Sequence, residues 1–104
     1  MAKVDIEALR RAVRENRYVI TTHARKRMGD RGIHEAEVLA VLSVGAVVEE
    51  YRNNLPDPKV LLMAEIGGEP LYVACAFDGR YVSIVTVHWY DREQWTNPWT
   101  RSKN

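Results

Sequence analysis

The sequence predicts an α+β domain, with N-terminal helices packed on one face of a mainly antiparallel sheet of about four strands. Three observations predict it. Before Gly45, apolar residues recur at helical spacing. From Ala46 onward they give way to β-prone runs. Those runs are joined by Gly67-Gly68 and Asp78-Gly79, turn signals short enough to make neighbouring strands antiparallel.

Taken in order, the first helix starts at Asp5, a good N-cap, with Val4 and Leu9 placed for a hydrophobic staple. Ile6, Leu9 and Val13 face the core, Arg10 and Arg14 lie on the outer side, and Glu15-Asn16 ends the helix. Tyr18-Val19-Ile20-Thr21 is a short edge strand. A cationic helix follows, capped by Thr22 and stopped by Gly32, with Ala24 and Met28 as its narrow core face. The third helix follows Ile33, with His34 at the N-cap, Glu37 completing a capping box, and Val38, Val41 and Leu42 inward; Gly45 stops it.

The sheet then takes Ala46 to Tyr51, Lys59 to Ile66, Pro70 to Phe77 and Arg80 to Tyr90, with Arg52 to Pro58 as a loop. The last strand carries Val82 and Ile84 on one face and Val85 and Val87 on the other, which predicts a central position covered on both sides. The domain is drawn at residues 1–91. Residues 92–104 form a C-terminal tail that either docks through Trp95 and Trp99 or remains mobile.

The chain has 104 residues, which suits one domain with a modest core. No apolar run approaches the ~20 residues that span a bilayer, and the start lacks a secretory signal pattern. The one cysteine, Cys75, alternates with apolar neighbours and reads as a buried structural thiol. The expected setting is the cytoplasm, with no membrane partner.

Net charge is close to balanced, at +1, yet the charges are segregated. Arg10, Arg11, Arg14, Arg17, Arg25, Lys26, Arg27 and Arg31 share their stretch with only Glu15 and Asp30, whereas Glu35, Glu37, Glu49 and Glu50 follow. A basic patch on a neutral protein suits a polyanion, and Arg14, Arg17, Arg25 and Lys26 are the candidate RNA-binding positions. The alternative is that the two blocks neutralise each other on folding.

On the cationic helix, His23, Arg27 and Arg31 recur every four residues and form one ladder. Like charges at this spacing repel, so helix stability does not account for them. His88 and Tyr90 stand two apart near the end of the last strand and share a face. These five are the candidate catalytic residues. Histidine moves protons near neutral pH, arginine holds phosphate oxygens bidentately, and tyrosine orients or stacks. That set suits RNA cleavage without a metal or other cofactor. Three histidines and one cysteine at positions 23, 34, 88 and 75 show no short metal-ligand spacing, and there is no phosphate-cradling glycine loop. Packing or capping roles for His23, His88 and Tyr90 are the structural alternatives.

Ile20 to Ile33, followed by Glu37-Val38 and by Gly45-Ala46-Val47-Val48-Glu49, resembles a bacterial domain-of-unknown-function family. Its signature is T-x-H-A-x-x-R-M-x-x-R-G-I, then a helix, then G-x-I-I/V-E. Val85 to Tyr90 is similar to that family's closing I-V-T-V-Y-x-P segment, although Asp91-Arg92 stands here where the family carries a proline. The order of elements is similar to that of RelE, MqsR and BrnT ribonuclease toxins of bacterial toxin–antitoxin systems. The resemblance implies a RelE-like fold, cleavage of mRNA (on the ribosome or free) and neutralisation by a cognate antitoxin. Two other classes compete with a nuclease. One is a non-catalytic module that binds nucleic acid or protein through the same basic surface. The other is a homo-oligomer joined through a strand edge and the Trp95/Trp99 tail.

Overall fold

A computed structural model describes residues 4–51 and 57–102. Three helices come first: α1 (Ile6–Arg14), α2 (Thr22–Arg31) and α3 (Glu35–Val44), with β1 (Tyr18–Ile20) between α1 and α2. The strands β2 (Ala46–Tyr51), β3 (Lys59–Ile66), β4 (Glu69–Phe77) and β5 (Val82–Trp89) follow, and a small hairpin, β6 (Trp95–Asn97) and β7 (Thr100–Arg101), closes the chain. The predicted loop from Arg52 lies outside the described residues as far as Pro56.

The sheet differs from the expectation. It has five strands in the order β1-β5-β4-β3-β2, and β1 pairs parallel with β5, Tyr18 opposite Val82 and Ile20 opposite Ile84. Tight turns at Gly67-Gly68 and from Asp78 to Tyr81 make β3, β4 and β5 antiparallel neighbours, and β2 pairs antiparallel with β3. No such turn links β1 to β5, so nothing local fixes their relative direction.

Two corrections follow from register. A bulge between Ala74 and Cys75 on the partner side leaves Val85 as the extra residue of β5. Alternation resets there, so Val82, Ile84 and Val87 all join the helix-side core instead of dividing between faces. Thr86, opposite Ala74, and His88, opposite Tyr72, then face the other way. The strand is still internal, between β1 and β4. The second correction concerns the Asp78-Gly79 turn. β5 starts at Val82 because Asp78 Oδ1 accepts the amides of Arg80 and Tyr81, both at 2.7 Å, and widens the turn.

The main core joins Leu9, Ala12 and Val13 of α1, Ala24 and Met28 of α2, and Val38, Val41 and Leu42 of α3 to one face of the sheet. Arg10 is not on an outer face. Its Nε and Nη2 donate to Leu42 O at 3.2 Å and Gly45 O at 2.5 Å, satisfying carbonyls at the end of α3. The opposite face carries a smaller core of Leu61, Met63, Tyr72 and Trp95, with Tyr51 and Tyr90 against it. Trp95 is 1 % exposed, whereas Trp99 is 55 % exposed. Among the described residues no helix is long and apolar enough to cross a membrane.

Candidate active site

The site begins with the shortness of β1. It covers only Val82 to Ile84 of β5, and Thr21 turns the chain at once into α2. Thr21, not Thr22, is the N-cap: its Oγ1 accepts the Ala24 amide at 3.1 Å, and its extended backbone (ψ 159°) lies outside the helix. Gly32 ends the helix in the left-handed region at φ 64°. Between these caps α2 runs beside the part of β5 that β1 leaves uncovered. Arg31 Nη1 donates to Val87 O at 2.9 Å, and Trp89 Nε1 donates back to Arg31 O at 3.2 Å. The two bonds fix the end of α2 against the end of β5.

Between helix and strand lies a cleft of about 490 Å³, lined by His23, Arg27 and Arg31 from α2 and by Thr86, His88, Trp89, Tyr90, Asp91 and Gln94 from β5 and the segment after it. All five residues read from the sequence as candidate catalytic groups line this one cleft. The four candidate RNA-binding positions do not. Arg17 pairs with Glu15 at 2.7 Å and donates to Arg80 O. Arg25 meets Glu35 at 3.3 Å, and Lys26 meets Asp30 at 3.8 Å. Arg14 is exposed on α1.

The charges therefore divide. Cations on the outer side of α2 have acidic partners. Among the described residues, no carboxylate pairs with Arg27 or Arg31, and Arg27 has no hydrogen-bond partner either. Asp91 is the one acid among the lining residues. A guanidinium without a carboxylate beside a cleft is available to an anionic oxygen.

His88 is held on two sides. Its Nδ1 lies 3.1 Å from Trp89 O. A carbonyl can only accept, so Nδ1 carries the proton and the neutral ring keeps its lone pair on Nε2. The ring stacks on Tyr72, with centroids 5.0 Å apart and planes 12° apart. Burial lowers the pKa of His88 from the ordinary 6.5; the bond to Trp89 O opposes this, Arg31 and Arg101 add to it, and Asp91 opposes it. Tyr90 donates its hydroxyl to Trp95 O at 3.3 Å, so its ring, more than its proton, is offered to the cleft. Buried Cys75 stays a thiol, its pKa raised by burial to about 12.

Sequence reading missed Thr86, Trp89, Asp91 and Gln94. Thr86 continues the two-residue period of His88 and Tyr90 and was there to be found. Asp91 is the last residue of the domain as drawn and Gln94 belongs to what reads as tail; the tail docks through Trp95, and both residues line the cleft.

Residues 20–89 match the family model described as a domain of unknown function, DUF4258. No curated protein and no solved structure matches the chain. The family match spans well over half of the sequence, and the chain belongs to that family.

Proposed function

We propose that this DUF4258 domain is a toxin-type endoribonuclease that cleaves mRNA by attack of the 2′-hydroxyl on the adjacent phosphorus, without a metal. The observation that carries the reading is the cleft itself. Two histidines line it together with two arginines that, among the described residues, no carboxylate neutralises. Neutral His88 takes the 2′-hydroxyl proton at Nε2. The O2′–P bond forms and the P–O5′ bond breaks, giving a cyclic phosphate, while His23 delivers a proton to the departing 5′-oxygen. Arg27 and Arg31 hold the phosphate oxygens, whose negative charge grows in the transition state. The Tyr90 ring and Trp89 offer faces on which an unpaired base can stack.

Free or ribosome-bound mRNA is the substrate in this reading. A cognate antitoxin silences the protein by supplying acidic groups to the same two arginines. Expression in a bacterial host tests it. The parent arrests growth, and His23→Ala and Arg27→Ala, folded as the parent is, do not. Variants that arrest growth as well as the parent would sink the nuclease reading. Salt-sensitive RNA binding with no product would leave a binding module in its place.

A further inference from the structure

The C-terminal hairpin reaches the cleft through a run of stacked groups that the nuclease reading does not use. Arg101 Cζ lies 4.6 Å from the centroid of the Trp95 ring. Trp95 stacks on Tyr72 at 4.7 Å and 21°, and Tyr72 stacks on His88 at 5.0 Å and 12°. Behind them, Arg101 forms two bonds to Glu49, at 3.1 and 3.0 Å, which anchor the outer end to β2. Tyr72 is fully buried, and its hydroxyl donates to Pro98 O at 2.7 Å, at the hairpin turn.

We infer that Tyr72 is a positioning residue, clamped between Trp95 and the cleft, that holds the His88 ring in the plane and tautomer in which Nε2 faces its task. The inference rests on the reading above that His88 acts in the cleft. Two restraints are needed to fix an imidazole. The bond from Nδ1 to Trp89 O fixes the rotation of the ring edge, and a flat neighbour fixes the tilt of its plane. An aliphatic side chain opposite His88 would fill space without setting that tilt. The charged or titratable groups around His88 are Arg31 from α2, Arg101 from β7, Asp91 from the segment after β5 and Tyr72 itself from β4. His23, Arg27 and Tyr90 share the cleft. Tyr72 also holds, through Trp95 and Pro98 O, the hairpin that carries Arg101. Arg101→Gln measured beside the Tyr72 variants therefore gives the share of any His88 change that comes from that charge, and the remainder reports the lost stack.

The test uses the full chain labelled with ¹⁵N. Ring-nitrogen spectra are followed against pH for the parent, Tyr72→Phe and Tyr72→Leu. The parent shows neutral His88 protonated at Nδ1, and Tyr72→Phe keeps that state. Tyr72→Leu populates the Nε2-protonated form and moves the titration midpoint toward 6.5, the ordinary value. On RNA, Tyr72→Leu loses roughly 10- to 100-fold in kcat with KM nearly unchanged, the scale set by a misplaced reacting group, and Tyr72→Phe restores it. Should Tyr72→Leu fail to fold, Tyr72→Met fills the space with a flexible chain and carries the same expectations. A folded variant with the parent's tautomer and kcat overturns the inference, as does a parent whose neutral His88 is protonated at Nε2. If the parent cleaves no RNA, the nuclease reading fails, and the ring spectra still decide the role of Tyr72.

Discussion

His88 shows how one residue is prepared by its surroundings. Burial disfavours its charged form, so the folded state resists a proton that the unfolded chain accepts freely. Below the ordinary pKa of 6.5 the unfolded state therefore binds more protons, and stability falls with pH until the lowered folded pKa has been passed. The contribution is complete above 6.5. The carboxylates held low by partners, Glu15 by Arg17, Glu49 by Arg101 and Asp78 by the Tyr81 and Arg80 amides, act in a lower window, below the ordinary carboxylate values. Thermal unfolding measured from pH 7 down to about pH 5 should show a falling midpoint in the parent and a flatter profile in His88→Phe. Equal slopes would mean that His88 carries no linked proton. That His88 shares a surface with Tyr90 was readable, since the two stand two residues apart near the end of a strand, and both line the cleft. Its partner Tyr72 was not, because cross-strand register depends on the bulge at Val85 and on the length of the intervening turn.

At the scale of elements, local chemistry wrote most of the fold. Caps, staples and periodicity marked all three helices, and glycine or asparagine-rich stretches marked the strand ends. Thr21 was misread in favour of Thr22, a shift of one residue where two threonines stand side by side and either hydroxyl can cap. Two substitutions separate the roles of the α2 and α3 termini. Thr21→Ala removes the cap and costs about 1 kcal/mol. Gly45→Ala costs more, about 3 kcal/mol, because a Cβ there collides with the backbone carbonyls of Val41 and Met63 as the chain passes from α3 into β2. Urea unfolding of both variants checks the order, and a Gly45→Ala midpoint at or above that of Thr21→Ala would refute the collision. Pairing between distant elements was the unreadable part. The parallel match of β1 to β5 joins segments more than sixty residues apart, and no turn between them announces its direction.

Across the whole molecule, near-neutral charge conceals a division of labour. Arg10 and Arg17 tie elements together, Arg25 and Lys26 meet acids, and Arg27 and Arg31 are left facing the cleft without one among the described residues. The sequence showed the basic block but not which members are spent, because that depends on acids such as Glu35 that arrive from another helix. If RNA is the ligand, as proposed, its affinity should depend on few charges. Two phosphate contacts to a single strand give a slope of about −1.4 for log K against log salt, and Arg27→Ala halves it to about −0.7. Arg25→Ala leaves the slope unchanged. A steep slope that falls with Arg25 or Lys26 would place the binding surface on the outer side of α2 instead. The tail, read as docked or mobile, brings Gln94 to the cleft wall beside Asp91 and buries Trp95, leaving Trp99 as the exposed tryptophan of the pair.

The most direct test of the central claim is incubation of the purified chain with a defined single-stranded RNA in excess chelator, beside His23→Ala, first alone and then with translating ribosomes. The account predicts fragments ending in cyclic phosphate from the parent and none from the variant. Intact RNA from the parent under both conditions, or the same fragments from His23→Ala, would contradict it.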